Sequence, residues 1–140
     1  MARQRKLKRL AVLWLALGLV AAVLLTGIAF TYAEIYGLEE IAAAEGIQIH
    51  YVSADAIEAY TGRRANGFYD LCDNFIAVDA AQKLNTRILA HELGHYYAIV
   101  LFSNKSEDAA DKIGSGLLLH GAGFVKRLKM GFDYDHKNPE

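Results

Sequence analysis

Arg87-Ile88-Leu89-Ala90-His91-Glu92-Leu93-Gly94-His95-Tyr96 is the stretch on which the reading of this chain turns. It lies in a long apolar run, and the pattern predicts one helix over residues 84–102. On a helix, histidines four apart share a face, with Cβ atoms about 5–6 Å from each other. Both imidazoles can then reach one zinc ion, which is the physical content of the H-E-x-x-H spacing. Glu92, next to His91 in the chain, can accept a proton from a water activated by that metal. Leu89, Ala90 and Leu93 supply apolar contacts for a buried helix. Gly94 costs about 1 kcal/mol inside a helix. In return it lets another backbone, or a substrate, come close. A purely structural pair of histidines has no need of Glu92.

Two histidines leave a catalytic zinc short of a protein ligand, since such sites hold three and keep a fourth position open. Downstream, Glu107-Asp108-Ala109-Ala110-Asp111 begins a further helix, capped by Ser106 and running to about residue 119. Glu107 is the candidate third ligand. Asp111, on the same helical face, is the candidate partner for the far ring nitrogen of a liganding histidine, where it would fix the tautomer and raise the basicity. A solvated acidic first turn, favoured by the helix dipole, is the competing account of both residues.

Working upstream, residues 38–45 read as a short helix closed by Gly46, followed by the alternating strand Ile47-Gln48-Ile49-His50-Tyr51-Val52. Ser53 is a candidate N-cap for a helix to Tyr60, and Gly62 ends it before a loop containing Arg63, Arg64 and Asn66. Gly67-Phe68-Tyr69-Asp70 and Asn74-Phe75-Ile76-Ala77-Val78-Asp79 read as two strands around a polar turn. The expected class is α+β with a short antiparallel sheet. Gly121 and Gly123 are expected to break the helix after residue 119, and residues 131–140 read as a polar, loose tail.

The N-terminus has a different character. No charged residue occurs from position 10 to position 33, and the 21 residues 10–30 would make a helix of about 32 Å. That matches a hydrocarbon core of about 30 Å. The reading is an uncleaved transmembrane anchor at 10–33; a signal peptide cut near Thr31-Tyr32-Ala33 is the rival. Arg3, Arg5, Lys6, Lys8 and Arg9 precede the span, and residues 34–53 hold four Glu and no Lys or Arg. By the positive-inside rule the basic segment 1–9 faces the cytoplasm and the zinc domain, 36–130, lies outside it.

With 140 residues and a net charge of -1, there is room for one modest domain beyond the anchor and no basic surface suited to nucleic acid. No nucleic-acid partner is expected. The single Cys72 cannot form an internal disulfide and reads as a small buried residue. His120 is a candidate oxyanion stabiliser, although a lone histidine near a helix end more often caps it or is solvated. Tyr96 and Tyr97 could donate to a substrate carbonyl or belong to the core. Lys126-Arg127-Leu128-Lys129 reads as a solvated helix end or a contact with lipid headgroups.

These motifs together resemble the ImmA/IrrE family of bacterial and phage metallopeptidases across residues 38–119. The resemblance is carried by Gly46-Ile47, Gly67-Phe68-Tyr69, the strand 74–79, the run 87–96, and Glu107 with Ala110-Asp111, Gly114 and Leu117-Leu118. It implies a zincin-like domain with His91, His95 and Glu107 as zinc ligands, Glu92 as general base, and endopeptidase activity on a protein or peptide substrate. Where relatives often carry a proline after the leucine pair, this chain has Leu119-His120-Gly121. The rival functional reading is a membrane-tethered, zinc-containing binding or regulatory protein without catalysis.

Overall fold

A computed structural model describes residues 2–137. Their elements run α1 (Ala2–Ala44), β1 (Gln48–Val52), α2 (Ala54–Thr61), β2 (Gly67–Asp70), β3 (Phe75–Asp79), a single 3₁₀ turn (Ala80–Gln82), α3 (Thr86–Phe102) and α4 (Glu107–Lys137). The class is α+β, and the chain divides between Ala33 and Glu34 into two compact units.

The first unit is helical throughout its described residues. Leu13, Trp14, Leu17, Val20, Leu24 and Ile28 are all exposed, so no single face collects the apolar side chains. A helix hydrophobic all round suits hydrocarbon rather than water. It is long and apolar enough to cross a membrane, a test that a signal sequence also passes.

The second unit contains the last turns of α1. The expected short helix at 38–45 is therefore the end of a longer one: Ile35, Leu38, Ile41 and Ala42, spaced three and four apart, bury one stripe against the core. At its end the Ile47 N–H donates to the Ala42 carbonyl (2.9 Å) and turns the chain into β1. The Ser53 hydroxyl accepts from the Ala56 N–H, and the Gly62 N–H closes α2 on the Glu58 carbonyl, as expected of these two residues.

The sheet corrects the expected antiparallel arrangement. Its order is β1-β3-β2: β2 and β3 form the antiparallel hairpin that the sequence suggests, but β1 runs parallel to β3, with Gln48 opposite Phe75 and Val52 opposite Asp79. The physical reason is α2. It occupies the connection and carries the chain back before the hairpin begins, so that β1 and the second hairpin strand point the same way. The turn is held by Asp70, whose Oδ1 accepts from the backbone N–H of Cys72 (2.8 Å) and Asp73 (2.9 Å). Cys72 is exposed on that turn, not buried as expected of a small apolar residue, because the turn projects away from the core.

Ile76 and Val78 of the central strand, Leu89, Leu93 and Tyr97 of α3, and Ile113 and Leu117 of α4 join the α1 stripe in one core. α3 and α4 lie antiparallel, joined by a loop in which Ser103 caps α3 and the Ser106 hydroxyl accepts from the Ala109 N–H. Gly94 is the point of closest approach: a Cβ there would overlap the Ala110 carbonyl. Gly114 repeats the device one turn along, where a Cβ would sit 2.8 Å from the Ala90 carbonyl oxygen.

The break expected after residue 119 occurs at Gly121, whose φ of 52° and ψ of −140° leave the helical region. The helix is interrupted there as expected, so α4 comprises two helical pieces meeting at Gly121, and beyond the kink the Phe124 ring packs over Gly116. Within the segment expected as a tail, helix is described as far as Lys137, and residues 138–140 lie outside the described residues.

Candidate metal centre

The α3–α4 crossing fixes the site. Ala90 faces Gly114 and Gly94 faces Ala110, and in this antiparallel register His91 comes opposite Asp111 while both histidines come opposite Glu107. Without side chains at Gly94 and Gly114, the two backbones approach closely enough for short carboxylates to reach the imidazoles across the gap.

His91, His95 and Glu107 each offer one ligand atom, and these atoms lie within 4.8 Å of one another, so the three residues could hold a metal ion. Glu107 Oε2 is 3.1 Å from His91 Nε2 and 3.4 Å from His95 Nε2. Ligand atoms around one tetrahedral zinc are separated by roughly 3.3 Å, given bonds of about 2.0–2.1 Å. His91 Nδ1 is 2.7 Å from Asp111 Oδ1, and since a carboxylate can only accept, Nδ1 carries the proton. In the neutral ring Nε2 then presents a lone pair to the Glu107 carboxylate. Two acceptors at that distance repel unless a cation lies between them or the ring is doubly protonated, so the donor set fits a metal. Burial holds the His95 ring below its ordinary pKa, against the pull of Glu107, which favours the neutral, ligating form.

Glu92 borders the same cleft but is not one of these three. It is 7% exposed, the one buried charged side chain among the described residues, and it stays outside the ligand group. Burial pushes its carboxyl up to about 7; His91, the Tyr69 backbone N–H and Arg63 oppose that rise, and Glu107 adds to it. Tyr69 lies on β2, an edge strand paired only with β3, and its backbone lies near Glu92 of α3. A cleft of about 430 Å³ opens there, bounded by Tyr69, His91, Glu92, His95 and Glu107, with Arg63 and Arg64 on its wall. A second cavity of about 620 Å³ reaches His91 and Asp111 from the other side, past Glu34, Thr86 and Arg87.

Thus His91, Glu92, His95, Glu107 and Asp111 are brought together. His120 is not: it is exposed and borders neither cavity. Tyr96 and Tyr97 belong to the core, and their hydroxyls donate to Glu45 (3.1 and 3.0 Å). Lys129 reaches the same carboxylate at 2.5 Å. The sequence reading placed Arg63 and Arg64 in a loop without a role, and it missed Glu45 as an anchor. Neither has a local signal, because each acts on elements distant in the chain.

No protein-family model matches this chain, and neither a curated protein nor a solved structure does. What is established is an α+β chain with one long apolar N-terminal helix and a His-His-Glu group able to hold a metal ion.

Proposed function

We propose that this chain is a membrane-anchored zinc-dependent endopeptidase, a membrane-bound relative of the ImmA/IrrE metallopeptidases that its motifs resemble. The observation that carries the reading is the buried Glu92 carboxyl, left out of the ligand group yet opening onto the same cleft. His91, His95 and Glu107 would hold the zinc, and Asp111 would keep His91 in the tautomer that presents Nε2. When bound, zinc supplies Lewis-acid polarisation of the scissile carbonyl and of the attacking water. Glu92 takes a proton from that water and returns it to the leaving amine, a role suited to a carboxyl whose affinity for protons is raised by burial. The free edge of β2 offers backbone groups to an extended peptide, which would lie across the cleft as an added strand. Residues 10–33 would anchor the enzyme in lipid, with the basic segment 1–9 in the cytoplasm and the zinc domain outside.

The rival, a tethered zinc-containing binder without catalysis, leaves Glu92 unexplained, since a structural zinc site needs no general base. The test is hydrolysis of a proteome-derived peptide library by the zinc-loaded full chain in neutral detergent. Cleavage by the wild type and none by zinc-loaded Glu92→Gln is expected. A wild type that is fully zinc-loaded and cleaves nothing would replace the enzyme by the binder.

A further inference from the structure

We propose that Arg63 and Arg64 form a receptor for a substrate carboxylate, supplied by an Asp or Glu side chain or by a chain's C-terminus. The inference rests on the peptidase reading of the cleft and names the substrate chemistry it selects.

Both arginines line the cleft that holds His91, His95 and Glu92. The loop is fixed at each end. The Thr61 hydroxyl donates to the Arg63 carbonyl (2.8 Å), and the Asp79 N–H donates to the Asn66 carbonyl (2.8 Å). Neither guanidinium forms an ion pair among the described residues. Of the acids that share the cleft, Glu107 faces the histidines, and Glu92 feels the charge of Arg63 without forming an ion pair with it. Two arginines lining one cleft, neither of them held in an ion pair, are suited by their guanidinium forks to planar, bidentate recognition of a carboxylate. A cation-binding wall is excluded by their charge, and an apolar specificity pocket by their polarity.

The test uses the zinc-loaded Glu92→Gln full chain in neutral detergent micelles and three fluorescein-labelled degenerate decapeptide pools, read by fluorescence anisotropy. One pool carries a single Glu at a scanned position and an amidated C-terminus. The second has no acidic residue and a free C-terminus, and the third has neither carboxylate. One of the first two pools is expected to bind about fivefold more tightly than the third at low salt, with the advantage shrinking as salt rises. Which pool wins identifies the source of the carboxylate. The double substitution Arg63→Ala/Arg64→Ala should abolish the difference, with zinc content measured alongside to report its fold. Should that variant lose zinc, Arg63→Lys/Arg64→Lys keeps the charge and removes the bidentate fork, and a weakened preference is expected. Equal binding of all three pools, or a preference surviving in the zinc-loaded alanine variant, overturns the inference. Incubating the same pools with the wild type separates the two readings: preference without cleavage sinks the peptidase and leaves this receptor standing, whereas cleavage without preference does the reverse.

Discussion

His91 Nδ1 lies 2.7 Å from Asp111 Oδ1, on the side of the ring away from the point where Nε2 approaches Glu107 and His95. One histidine thus meets two carboxylates with different places, one at the nitrogen that carries its proton and the other at the nitrogen that could share a metal ion with it. Asp111→Asn should keep one zinc per chain but weaken its binding by about 10–100-fold, as loss of a partner behind a ligand typically does. His91→Ala, His95→Ala and Glu107→Ala should each abolish stoichiometric zinc. Metal analysis with a competing chelator distinguishes the two outcomes, and unchanged zinc affinity in Glu107→Ala would remove it from the ligand set.

Glu92→Gln should retain zinc, because its carboxyl stands outside the ligand group. Turnover should fall by about 10²–10⁴-fold with the loss of a positioned general base. Zinc content and initial rates measured on the same preparation check both halves of the expectation.

Gly94→Ala should disrupt the fold and the site together, since the added methyl meets the Ala110 carbonyl and must push α4 away from α3. A destabilisation of about 3 kcal/mol is expected. Zinc affinity should drop in parallel, although no ligand is touched. Thermal unfolding with and without zinc measures both, and an unaltered melting temperature would contradict the close crossing.

Glu45 gives a pH dependence. Burial pushes its carboxyl up, but hydrogen bonds from Lys129, Tyr97 and Tyr96 outweigh that and hold it below its ordinary value of 4.5. A group whose folded pKa is lowered stabilises the fold above its unfolded value and loses that contribution as pH falls through the folded one. Wild type should therefore lose stability as pH drops below 4.5, whereas Glu45→Gln should start lower at pH 7 and show a shallower acid slope. Denaturant midpoints of both proteins from pH 7 to 3 measure the difference, and parallel curves would show that Glu45 does not anchor the end of α1.

The proposed topology is tested by reporters fused after Glu140, one active only outside the cytoplasm and one only inside. Signal from the outside reporter alone is expected from the basic residues before position 10 and their absence from 34–53. Signal from the cytoplasmic reporter alone would reverse the orientation and make an intracellular protein the substrate.

What could be read from the sequence is what local periodicity and capping encode. The long apolar N-terminal helix, the caps Ser53, Gly62 and Ser106, the buried face of Leu89, Ala90 and Leu93, and the histidine pair on the opposite face all follow from spacing within one element. Glu107 was within reach as well, since a zinc site one ligand short directs attention to the next acidic helix. The tertiary structure decided the rest. Whether β1 runs parallel or antiparallel to β3 depends on how the α2 connection packs, which no strand pattern records. That Asp111 meets His91, and that Arg63 and Arg64 wall the same cleft, depends on the register of α3 against α4 and of β2 against α3. Those registers are set by missing side chains at Gly94, Gly114 and Gly67, where a Cβ would meet another element. A glycine in a sequence announces that something can come close, and only the folded chain shows what does.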